Sequence, residues 1–174
     1  SFGNGCNFKC GYCCPQASSL WVDEIEKHGN YDITYNQYGI EFLENGSFYK
    51  SDEENPYIDA FWKWWPDLRK DLRVLRLTGG EPLMSRDVWK IIDHVIESPN
   101  PELTFCINSN LCVQDRLIDS LIEKINLLEG KVKEIQIFSS GEAVGSQSEY
   151  IRYGLDYEKK LFLPGDNALN LHRR

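Results

Sequence analysis

Three cysteines stand in the run Cys6-Asn7-Phe8-Lys9-Cys10-Gly11-Tyr12-Cys13, and thiolates at this spacing are ligands for a metal centre. On a short, glycine-bearing loop, C-x3-C-x2-C can bring three thiolates to three corners of a cubane while backbone amides solvate its sulfides. Three protein ligands leave one iron open. An open position lets a centre bind a substrate as well as carry electrons. Cys14 follows at once, but adjacent residues could hardly ligate one ion without strain, so it is read as a packed thiol. Cys106 and Cys112 lie far along the chain and are read as structural. A zinc knuckle with Cys14 as fourth ligand and a dithiol redox pair from Cys10 and Cys13 are the alternatives. Structural zinc sites usually pair two such elements along the chain, and there is no second pair here.

A second pattern is Thr78-Gly79-Gly80-Glu81-Pro82. The glycines permit positive φ and close backbone approach to a ligand, while Glu81 sets a carboxylate at the C-terminal end of a predicted strand. In a parallel α/β fold that end is the ligand face. Taken alone, the same residues describe a tight turn with a solvated acid equally well.

The elements that must position these residues alternate. Residues 72–78, 103–108 and 132–138 are β-branched runs that predict strands. Val88, Ile91, Ile92 and Val95 recur at helical spacing between them, as do Leu117, Leu121, Ile125 and Leu128. The strand ends repeat at about 30 residues, the length of a βαβ unit. Ahead of them, residues 16–28 and 56–65 read as helices. In the second, Phe61, Trp62, Trp64 and Trp65 are read as helix core rather than as the lining of a substrate channel. Residues 29–55 read as a loop or insertion and residues 161–174 as an irregular tail. His28, His94 and His172 show no partner pattern marking a catalytic base.

Together the two motifs resemble the radical S-adenosylmethionine (SAM) superfamily, most of all its group with a truncated SPASM-like or "twitch" extension. In that superfamily an aromatic residue precedes the last cysteine, as Tyr12 does, and a Gly-Gly-Glu turn follows the second strand, as residues 79–81 do. The resemblance covers residues 6–157. It implies an α/β fold, a partial (β/α) barrel with a parallel sheet, incomplete at both ends and lacking the strand before the cysteine loop. It implies a [4Fe–4S] cluster on Cys6, Cys10 and Cys13, with SAM as second cofactor. Tyr12 would lie near the adenine, and Gly79, Gly80 and Glu81 would receive the SAM amino group. Asn108 falls where relatives carry a Thr-Asn-Gly turn. Residues 138–142 resemble a Ser-Leu-Asp-Gly segment, which would bring Ser140 to the ribose hydroxyls and Arg152 to the SAM carboxylate. Here Gly141 replaces the usual Leu, Glu142 falls at the Asp position, and Tyr153 separates Arg152 from Gly154.

The activity so implied is reductive cleavage of SAM to a 5′-deoxyadenosyl radical that takes hydrogen from a substrate. The implied partners are a peptide or other large substrate and an electron donor such as flavodoxin or ferredoxin. No residue is assigned as an acid–base catalyst. The competing readings are a non-catalytic zinc or iron–sulfur module and a degenerate domain that binds SAM without turnover.

Composition narrows the field. With 174 residues, 41% hydrophobic and 26% charged, one domain with a real core is expected. A net charge of −8 argues against a nucleic-acid binder. No apolar run approaches the roughly 20 residues of a membrane span. A cytoplasmic protein with reduced thiols is expected.

Overall fold

The computed structural model describes residues 2–29 and 54–161. Residues 30–53 of the loop or insertion expected over 29–55, residues 162–174 of the tail expected over 161–174, and His172 with them lie outside the described residues. In chain order the elements are β1 (Lys9–Cys10), α1 (Ser19–His28), α2 (Pro56–Asp71), β2 (Val74–Leu77), α3 (Arg86–Glu97), β3 (Asn100–Ser109), α4 (Asp115–Leu128), β4 (Val132–Ser139), α5 (Ser146–Ile151), β5 (Arg152–Tyr153) and α6 (Tyr157–Leu161). A 3-10 turn, Pro82–Met84, joins β2 to α3.

The chain is a mixed α/β protein built on a three-stranded parallel sheet in the order β2-β3-β4. Among the described residues the sheet is open and does not close into a barrel. Each parallel step needs a crossover, and α3 and α4 supply them. Their apolar residues explain why. Val88, Ile91, Ile92 and Val95 line one side of α3 and are all almost fully buried, as an i, i+3, i+4, i+7 pattern requires. Ile118, Leu121 and Leu128 do the same on α4.

Alternation along the strands gives the sheet two unlike faces. Leu75, Phe105 and Ile135 are register partners, as are Leu77, Ile107 and Ile137, and all six join the core beneath the helices. The intervening row Arg76, Cys106 and Gln136 therefore faces away. On that side the Arg76 guanidinium lies 4.5 Å over the Phe138 ring.

The strands agree with the expected runs to within three residues. β2 is shorter than 72–78, whereas β3 starts earlier, where the Asn100 amide donates to the Leu72 carbonyl. Helix α1 begins at Ser19, not at residue 16, because residues 14–17 form a turn closed by Ala17 N–H on the Cys14 carbonyl. Helix α2 outruns 56–65 and continues through Pro66 to Asp71. Phe61 and Trp62 pack against the core and Trp65 is within it, the core role expected of this cluster. Trp64 points outward, 59% exposed. No helix among the described residues is long and apolar enough to cross a membrane.

Candidate functional site

The cysteine loop lies on the C-terminal edge of the sheet, tied there mainly by polar contacts. Strand β1 pairs antiparallel with β5, placing Cys10 opposite Arg152. Gly11 N–H donates to Ile151 O at 2.8 Å, and the Trp21 indole donates to Cys10 O at 2.9 Å. Upstream, Ser19 N–H donates to Asn4 O and Glu81 N–H to Gly5 O, at 2.8 and 2.7 Å. An amide bracket closes the other side. Asn7 Nδ2 donates to Cys112 O at 2.8 Å, and Asn110 Nδ2 donates to Asn7 Oδ1 at 2.9 Å.

None of the six cysteines forms a disulfide. Cys10 is buried, and Cys6 and Cys13 are half-buried. Burial pushes the Cys6 thiol up to about 11, and Glu81, Cys10 and Cys13 push it the same way. Burial also raises Cys10 and Cys13. Cys10 and Cys13 thus act on Cys6, and a cation beside these thiols would favour their ionisation. Cys14 turns aside, its thiol toward Gln16 Oε1.

The Gly-Gly-Glu turn is the surface on which this loop rests. Gly79 takes φ 150°, a conformation suited to glycine. At Gly80 a Cβ would come within 2.3 Å of Gly5 O and 2.6 Å of Asn4 O, so only glycine lets the two segments meet. Glu81 is 2% exposed. Its carboxylate accepts from Leu83 N–H at 3.1 Å, Ser109 Oγ at 2.7 Å and Asn110 N–H at 2.8 Å. These bonds use three of about four acceptor positions and lace the ends of β2 and β3 together. Burial raises its pKa, and these hydrogen bonds oppose the rise. Glu81 is thus first an internal tie, with about one position left for an outside donor. Beside the turn lies a cavity of about 540 Å³, lined by Gly79, Gly80, Glu81 and Gly5 among others.

A third group meets the loop from the far end of the chain. Arg152, 4% exposed, makes a two-pronged pair with Glu142, through Nε at 2.5 Å and Nη2 at 2.7 Å. Tyr12 Oη donates to the same carboxylate at 2.8 Å, and the guanidinium lies 5.6 Å from the Tyr12 ring centre. Hydrogen bonds from Arg152 hold the Glu142 carboxyl down at about 2. Arg152 in turn favours ionisation of Cys10.

Cys6, Cys10, Cys13, Tyr12, Gly79, Gly80, Glu81 and Arg152 are therefore gathered at one edge. Asn108 sits near the end of β3 with its Oδ1 buried and unpartnered, an acceptor available to a ligand. Ser140 is exposed just past the end of β4. Glu142, Asn7 and Asn110 were not among the expected site residues. The signal for Glu142 was its place in the fourth-strand segment; the two amides leave no periodic mark.

No family model matches this chain, and no curated protein or solved structure matches it. Among the described residues, no group of three or more His, Cys, Asp or Glu is placed to hold a metal ion. The residues that could hold an iron–sulfur cluster are Cys6, Cys10 and Cys13, thiols of the type that ligates such clusters, on a glycine-bearing loop.

Proposed function

We propose that this chain is a radical SAM domain, carrying a [4Fe–4S] cluster on Cys6, Cys10 and Cys13 and binding SAM at the adjoining edge of a partial (β/α) barrel. The observation that carries this reading is the junction of Gly80 and Glu81 with Asn4 and Gly5. A zinc knuckle has no use for a glycine turn and a buried carboxylate pressed against its loop. When bound, the cluster would supply an open iron and the electron for reductive cleavage of SAM to a 5′-deoxyadenosyl radical.

The chain's own residues do the positioning. Gly79 and Gly80 let backbone approach the ligand closely, and Glu81 offers its remaining lone pair to an ammonium. Asn108 adds an acceptor. Arg152 has five donors, of which Glu142 holds two, so a carboxylate can be received beside Cys10. Tyr12, 58% exposed, offers a ring face to a base. Ser140 stands at the next strand end for a hydroxyl. A peptide or other large substrate, a flavodoxin or ferredoxin as donor, and a cytoplasmic setting complete the reading.

Anaerobic reconstitution of the chain with iron and sulfide, followed by SAM and a strong reductant, tests it. Stoichiometric cluster and released 5′-deoxyadenosine are expected. Cluster and SAM binding without 5′-deoxyadenosine would identify a degenerate domain, and uptake of zinc in place of a cluster would identify a metal module.

A further inference from the structure

On the helix side of the sheet, a depression of about 640 Å³ lies between the N-terminal turns of α3 and α4. Its rim carries Arg86, Arg116 and Lys159, and no carboxylate lines it. In a chain of net charge −8 this concentration of cations runs against composition. Lys159 is partly neutralised by Asp115 at 2.9 Å. Arg116 Nε donates to the neutral Gln114 amide, and neither arginine has an acidic partner among the described residues. The positive ends of two helix dipoles point here as well, each offset by an acid in its first turn, Asp87 and Asp115.

The floor is apolar, formed by Trp89, Leu117 and the 48%-exposed Met84. Met84, Arg86, Gln114, Arg116 and Lys159 are all exposed, so the depression is open and would leave a small ligand largely in water, unlike an enclosing pocket. An apolar centre with a charged rim is the anatomy of a protein interface. Its inner wall is Asn7 and Cys112. Asn7 adjoins Cys6 in the chain, and Cys112 packs into the same small cluster as Cys6, Cys10 and Cys13.

We infer that this depression is the docking site for an acidic electron-donor protein. The inference rests on the iron–sulfur reading above and goes beyond it by assigning the face through which the electron enters. The opposite signs of rim and partner steer encounter and fix orientation. Docking there sets the donor's redox group against the back of the cysteine loop, where Asn7 and Cys112 line the depression.

The test uses the full chain and a flavodoxin as probe. Binding of oxidised flavodoxin to the cluster-free chain is measured by calorimetry at low and high salt. Reduction of the reconstituted cluster is followed by visible bleaching, with either reduced flavodoxin or dithionite as reductant. Arg116→Glu is expected to weaken flavodoxin binding and slow flavodoxin-driven reduction about tenfold, while dithionite-driven reduction is unchanged. Arg116→Gln should fall between, and high salt should weaken wild-type binding. Matching circular dichroism melts show that the variants fold. Equal flavodoxin affinity in wild type and Arg116→Glu overturns the docking site, as does absence of binding to a wild-type chain that holds its cluster. Inorganic phosphate binding that Arg116→Glu abolishes, without flavodoxin binding, would make this a small-anion site and overturn it too. Failure to form any cluster sinks the iron–sulfur reading first, and the docking role with it.

Discussion

The sheet with its helices and the ledge that carries the cysteine loop are held by different forces. The first buries fifteen core residues, from Trp65 to Leu128. The second buries Phe8, Cys10 and Leu155, with Val22 and Ile25 on α1, and also hangs on hydrogen bonds from Asn4, Asn7, Ser18, Ser19 and Asn110. Apolar burial is non-directional and tolerates small shifts, whereas a hydrogen-bonded bracket fixes position and fails when one atom goes. The chain is therefore expected to come apart in two stages, the ledge before the sheet. Such a division suits a site whose loop must hold a bulky group against a rigid edge.

The largest effect should come from the sheet. Phe105 is fully buried on the middle strand, and Phe105→Ala should cost about 3–5 kcal/mol by lost transfer and a cavity. Chemical denaturation would show both stages weakened, because the ledge rests on β3 through Asn110. A loss confined to the ledge would contradict the division.

Gly80→Ala should do the reverse at smaller cost. The added methyl meets two backbone carbonyls, at Gly5 and Asn4, which cannot swing aside as a side-chain tip can. Overpacking of this kind costs about 1–3 kcal/mol. The expected outcome is a loop lifted off the Gly-Gly-Glu turn above an intact sheet. Alkylation of Cys10, buried in the wild type, should quicken while the main unfolding transition moves little. Unchanged reactivity would show that the close approach does not hold the loop.

The same contrast explains what could be read from sequence. The sheet was legible because burial imposes period: Val88, Ile91, Ile92 and Val95 sit at helical intervals, and the strands are β-branched runs. The motifs were legible because their residues are close in sequence. The contacts joining the motifs were not. Lys9–Cys10 and Arg152–Tyr153 are strands of two residues, too short to show alternation. The Asn7–Asn110 bracket spans 103 residues, and an amide pair at that distance leaves no local pattern. Glu81 shows the limit differently. Its position at the strand end was expected, but its engagement by Leu83, Ser109 and Asn110 follows from turn geometry that spacing does not encode.

The smallest effect separates the ledge's own two carboxylates. Glu142 is held down at about 2 by Arg152, while burial raises Glu81. A carboxyl lowered in the fold contributes stability above its unfolded value and loses it as pH falls through the folded one; a raised carboxyl does the opposite. Glu142→Gln leaves the buried guanidinium of Arg152 without its anion. Because the Glu142 side chain is 34% exposed, the loss should be about 1 kcal/mol, well below the cost of breaking a fully buried pair. Glu81 is common to both proteins and cancels in the difference between them. That difference should be steady from neutral pH down to the ordinary carboxyl value of 4.5, then shrink toward zero as pH falls to about 2. Hydrogen exchange at Gly11, whose N–H is bonded to Ile151 O, reads the ledge directly. A difference between wild type and Glu142→Gln that persisted unchanged at the acid end would show that Glu142 supports the ledge by packing rather than by charge.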